Sequence, residues 1–126
     1  MSQQKTKTPG GAVLQNVVDA PWFCGPGHSP NAFSKRLAGP ADGSSRVGYV
    51  LSSYAPGHYM EPHTHKVREQ VYHILEGEGV LVIDGVRHRV GPHDVAFLPP
   101  GVSHGLYNEG LTNLVFVIAS GPAEDK

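Results

Sequence analysis

The sequence predicts a single all-β domain, a sandwich or barrel built from short strands. Three observations carry this. Short apolar stretches with period-two alternation recur along the chain. Turn-forming residues punctuate them, with 16 glycines and 11 prolines in 126 residues. No segment sustains a helical apolar period over about ten residues.

The elements follow in order. Residues 1–11 are polar and bounded by Gly and Pro, the composition of a loose N-terminal arm. Residues 12–18 predict a first strand. Residues 19–30 hold Pro21, Gly25, Pro26, Gly27 and Pro30 and read as a loop. Residues 33–38 form a short strand before Gly39-Pro40. Residues 46–54 alternate well, with Val47, Tyr49 and Leu51 on one face and Gly48, Val50 and Ser52 on the other, and Pro56-Gly57 ends them. The strand after Gly57 carries His63 and His65. Residues 69–76 and 80–84 flank Gly77-Glu78-Gly79. Asp84-Gly85 is a tight-hairpin signal leading into residues 86–90. Residues 95–98 stop at Pro99-Pro100-Gly101, and residues 104–107 and 114–119 complete the set. The domain therefore spans residues 12–120, with residues 121–126 as a tail.

Composition excludes several classes of function. A formal charge of −1, with 17% charged residues, gives no electrostatic case for nucleic acid or an anionic membrane. The first seven residues lack the apolar core of a signal peptide, and no run is long enough to span a bilayer. The single Cys24 cannot form an internal disulfide, which fits a cytoplasmic protein; it reads as a small apolar filler. The oddity is eight histidines, concentrated between His58 and His104.

Those histidines carry the chemistry. In a strand, His63 and His65 of His63-Thr64-His65 point to one side, because side chains repeat with period two. Two imidazoles so placed can share a metal ion, and His104, after Pro99-Pro100-Gly101-Val102-Ser103, can supply a third. A fourth donor comes from Glu69 or Gln70. A one-residue slip in register exchanges them, and both faces of that strand are apolar enough to be buried. His28, His58, His73, His88 and His93 read as ordinary polar positions. Tyr72 reads first as a space-filling aromatic and second as a proton donor. Arg46, Arg68, Arg87 and Arg89 are solvated by default, with carboxylate binding as the functional alternative.

These residues resemble the cupin superfamily. Its first motif runs Gly, five residues, His-x-His, three or four residues, Glu, six residues, Gly. Here it is Gly57, His63, His65, Gln70 and Gly77. The second runs Gly, five residues, Pro-x-Gly, two residues, His, three residues, Asn. Here it is His93, Pro99, Gly101, His104 and Asn108. Gln70 stands for Glu, and His93 for the opening Gly, where Gly91 offers nearby flexibility. The resemblance implies a double-stranded β-helix, a jelly-roll barrel. Its interior would hold one divalent transition metal on His63, His65, Gln70 and His104, since counting back from Gly77 selects Gln70 over Glu69. The ion would be nickel, zinc, iron, manganese or copper.

The stretch from His63 to Tyr72 is similar to small cupins with a His-His-Gln-His set, one group of which opens the ring of unsaturated uronates. Others with Glu are dioxygenases, dimethylsulfoniopropionate lyases or sugar isomerases. Three imidazoles and an amide leave the full dication charge on the metal, which favours Lewis-acid work over oxygen activation. The expected function is thus a metal-dependent lyase or isomerase acting on a small oxygen-rich organic acid or sugar derivative. The alternatives are a mononuclear dioxygenase and a non-catalytic metal- or ligand-binding module. Cupins are often homodimers, and an unpaired first strand at residues 12–18 would be a natural partner edge.

Overall fold

A computed structural model describes residues 5–126. The chain forms two facing antiparallel sheets and a small N-terminal ribbon. The ribbon pairs β1 (Thr6–Lys7) with β2 (Val13–Leu14). The five-stranded sheet has the order β3 (Ala32–Ala38), β4 (Gly48–Tyr54), β11 (Leu114–Gly121), β6 (Glu69–Glu76), β9 (Val95–Leu98). The four-stranded sheet has the order β5 (Tyr59–His63), β10 (His104–Tyr107), β7 (Gly79–Ile83), β8 (Val86–Val90).

Register explains the placement of core and site. Across the five-stranded sheet, inward side chains fall into rows. One row joins Ser34, Ser52, Phe116 and Ile74. The next joins Arg36, Val50, Ile118, Tyr72 and Ala96. Beyond it lie Gly48, Ser120, Gln70 and Leu98. A further row, Ala32, Tyr54 and Leu114, closes the apolar end, opposite the end that carries Ser120 and Gln70. Tyr54, Phe116, Leu114 and Ile74 meet Met60, Leu81 and Leu106 of the opposite sheet in one buried cluster. Tyr54 packs edge-on against Phe116, with ring centroids 5.0 Å apart. Burying apolar area of this kind is the main term holding the sheets together.

Turns obey their local chemistry. Asp84 and Gly85 both take positive φ, 48° and 81°, as a type I′ hairpin requires. His93 takes φ 76°, so the residue at the motif's glycine position adopts the left-handed conformation itself and Gly91 does not supply it. A short polar side chain tolerates that region better than a β-branched one. Gly105 serves a different need. A Cβ there would lie 2.7 Å from Pro62 N and 3.0 Å from Met60 O, so only glycine lets β10 approach β5 beside His104.

The structure departs from the sequence reading at the N-terminus. Residues 6–7, expected in a loose arm, are the outer half of the ribbon. The strand expected over residues 12–18 shrinks to Val13–Leu14, followed by a 3-10 turn at Val17–Asp19. Asn16 accepts from Val18 N at 2.9 Å, and Lys35 Nζ donates to Val17 O at 2.8 Å. These bonds outweigh the β preference of Val17 and Val18. Cys24, expected as a small apolar filler, is exposed. Among the described residues, no helix is long and apolar enough to cross a membrane.

Candidate metal centre

The last residue of β5 is His63, and the first of β10 is His104; the two are paired across the strands. His65 lies beyond the end of β5, so the period-two argument places only one of the two neighbouring histidines on a strand. The loop nevertheless returns His65 to the same side. Ligating atoms of His63, His65 and His104 all lie within 4.8 Å of one another. Two donors about 2.1 Å from a shared ion can be at most about 4.2 Å apart, so the cluster needs to close only slightly.

Each imidazole is held from behind. His63 Nδ1 is 3.1 Å from Glu61 O, and His104 Nδ1 is 3.1 Å from Val102 O. A carbonyl only accepts, so both rings carry their proton on Nδ1 and turn an Nε2 lone pair inward. His65 Nδ1 faces Asp125 Oδ2 at 3.7 Å. The inward atoms converge: His63 Nε2 lies 3.1 Å from His65 Nε2, and His104 Nε2 lies 3.1 Å from Gln70 Oε1. Gln70 is buried and its amide nitrogen donates to Ser120 Oγ at 3.1 Å. With the His104 proton held on Nδ1 by Val102 O and the Gln70 amide nitrogen turned to Ser120, His104 Nε2 and Gln70 Oε1 are two acceptors facing each other. A cation between them would satisfy both lone pairs, and the residues present fit a metal ion.

Electrostatics agrees. Burial lowers the pKa of all three histidines, taking His104 to about 4. They are neutral near pH 7, the form that ligates. Burial raises the Tyr72 phenol, so it keeps its proton. The Tyr72 ring sits edge-on to His104 at 5.6 Å and stacks on Phe116 at 5.7 Å, so it packs between site and core. Glu69 is exposed on the opposite face of β6.

The cluster opens into a cavity of about 610 Å³. His63, His65, Gln70 and Tyr72 line it, together with Arg36, Arg68 and His28. Of the four arginines considered from sequence, only Arg68 reaches this cavity. Arg87 pairs with Glu109 at 2.7 Å at the surface, and Arg89 lies on the far sheet. Arg36 escaped the sequence reading, and His28, read there as an ordinary polar position, lines the cavity. The signal for Arg36 was present, because Ala32, Ser34 and Arg36 share the inward face of β3. Asn108 is structural: its amide donates to Tyr54 O and Thr112 O, both at 2.8 Å. His58 accepts from Asn31 N at 3.3 Å and contacts Ser29 Oγ at 3.0 Å, away from the cluster.

Residues 50–120 match the family model described as the cupin domain. The chain belongs to the cupin family. This cupin is 37% identical over 62 residues to the oxalate-binding protein of Thermotoga maritima, covering 49% of this chain and 51% of that protein. It is 36% identical over 55 residues to the dimethylsulfoniopropionate lyase DddW of Ruegeria pomeroyi, covering 44% and 36%. The chain spans about half or less of the length of these curated relatives. The polyketide cyclase RemF from Streptomyces resistomycificus shares its fold, with a TM-score of 0.75 at 26% identity over 86% of this chain and 78% of that one. Cupins bind small-molecule substrates and commonly hold a metal.

Proposed function

We propose that this cupin is a metal-dependent lyase or isomerase acting on a small oxygen-rich organic acid or sugar acid. The observation that carries the reading is the convergence of three Nε2 atoms and one amide oxygen, all neutral, at the wall of an arginine-bearing cavity. His63, His65, Gln70 and His104 would hold one divalent ion from among nickel, zinc, iron, manganese and copper. Bound there, it supplies Lewis acidity toward a substrate carbonyl or enolate oxygen. The chain's own groups account for the choice of an acid. Among the described residues, no carboxylate forms an ion pair with Arg36 or Arg68. Arg36 stacks over Phe23, its guanidinium carbon 3.9 Å from the ring centroid, which leaves its edge free for a substrate carboxylate.

The test is turnover. Protein loaded with each of the five metals is offered enolisable keto acids and unsaturated sugar acids, with an oxygen electrode in the cell. Metal-dependent conversion without oxygen uptake is expected. Stoichiometric oxygen consumption would make it a dioxygenase instead. Tight binding of an acid with no conversion of any kind would make it a binding module.

A homodimer belongs to this reading; the edge expected at residues 12–18 is short, Val13–Leu14, with one side already paired to β1. The outward face of the five-stranded sheet serves better. Tyr49, Leu75, Val95 and Phe97 are exposed there, the last two at 60% and 59%, around Val71, Val115 and Val117. The outward positions of β4, β11 and β9 are free of charged side chains, and the outward Glu69 lies at the start of β6, which suits association of like faces. Phe97→Glu should convert a dimer to a monomer in sedimentation; a monomeric unsubstituted protein would exclude the dimer. The exposed lone thiol of Cys24 fits a reducing compartment, and we place the protein in the cytoplasm.

A further inference from the structure

The three imidazoles are not backed alike. His63 and His104 each meet a carbonyl two residues earlier in the chain. His65 lies in a loop, and the group behind its Nδ1 is the carboxylate of Asp125, far along the sequence. That carboxylate is itself fixed. Oδ1 accepts from Val67 N at 2.8 Å and Arg68 N at 3.0 Å, and Oδ2 accepts from Lys66 N at 3.0 Å. Just upstream, Ala123 O accepts from Arg68 Nη2 at 2.8 Å, and Ala123 N donates to Ser45 O at 3.3 Å. Ala123 is buried. The segment after β11 is thus anchored at Ala123 and clamped at Asp125 onto the loop that carries His65.

We propose that Asp125 is a positioning residue: its carboxylate, seated on the backbone of residues 66–68, holds the proton of His65 on Nδ1 and aims Nε2 at the cluster. The inference rests on the metal-centre reading given above. A carboxylate behind a ligating imidazole fixes its tautomer and strengthens it as a donor. The two oxygens divide the labour. Oδ1 serves two loop amides, whereas Oδ2 serves one amide and faces His65. An Asn at this position keeps the first oxygen and loses the second, so it separates support of the loop from orientation of the ring. The same clamp ties Arg68, through Ala123 O, to the strap that sets His65, so the anion-binding arm and the ligand are set by one segment.

The test has two readouts. In metal-free protein, nitrogen NMR of the imidazoles reports each tautomer. His65 is expected as the Nδ1–H form, shifting toward Nε2–H in Asp125→Asn, while His63 and His104 stay unchanged. Asp125→Glu, which restores the charge, should move His65 back. Exchange of the Val67 and Arg68 amides monitors the loop. In the same proteins, cobalt(II) affinity should fall about 10- to 100-fold in Asp125→Asn and stay level in Glu124→Ala, whose partner is Lys126 at the surface. An unchanged His65 tautomer in Asp125→Asn, with cobalt still bound as tightly as by the unsubstituted protein, overturns the proposal and leaves the metal centre standing. A shifted tautomer in a protein that never binds cobalt keeps the orienting role and overturns the metal reading.

Discussion

His104→Ala is expected to strip the protein of most of the metal it takes up, and His63→Ala to do the same. The two residues face each other across β5 and β10, and each presents an Nε2 whose proton is held on the other side of the ring. Losing even an outer contact of a ligand typically costs about 10- to 100-fold in metal affinity, so removal of a donor atom should cost more. Within the same series, Gln70→Ala should weaken binding more than Glu69→Ala, because Gln70 Oε1 lies 3.1 Å from His104 Nε2 while Glu69 points outward. The measurement is elemental analysis after loading and dialysis, alongside circular dichroism to show that each variant folds. One metal per chain retained by His104→Ala, or a ranking in which Glu69 matters more than Gln70, would refute this arrangement.

Chelation should abolish turnover and leave the fold in place. The buried cluster that joins the sheets runs through Tyr54, Phe116, Leu114, Met60, Leu81 and Leu106, none of which is in the donor set. A small zinc finger has no such core and unfolds without its ion; this domain has one. Far-ultraviolet circular dichroism should therefore change little on metal removal. The melting temperature should fall only by the linkage term of a ligand that binds the folded state. Metal added back should restore conversion of the substrate. Collapse of the β signal on chelation would show that the ion is part of the fold.

Much of the fold is legible in the sequence because turns and alternation coincide. The bounds of β6, β8, β9 and β10 follow from Gly77, Asp84-Gly85, Gly91 and Pro99-Pro100-Gly101 without tertiary information. Pairing of His63 with His104 is visible only through motif spacing, since residues forty apart share no local periodicity. The side on which Gln70 falls is illegible locally. The outward neighbours Val71 and Leu75 are as apolar as the inward Tyr72 and Ile74, so hydrophobicity cannot set the register. His65 defeats the strand argument because β5 ends at His63. Asp125 leaves no local trace at all. Its partners lie 57 to 59 residues away, and an acid near a chain end looks like any solvated charge.

The grading of the inward rows divides labour along the barrel. Rows near Tyr54 and Phe116 carry cohesion, and rows near Arg36, Ser120 and Gln70 carry chemistry. On the function proposed above, changes at Arg36 or Ser120, which line the cavity and lie outside the buried apolar cluster, alter what it accepts without removing a core contact. Changes at Tyr54, Phe116 or Leu114, which lie in the core and not in the cavity lining, fall on folding. On that proposal, a lineage with this layout can exchange one substrate for another by drift at such lining positions, at little risk to the framework that keeps the histidines in register.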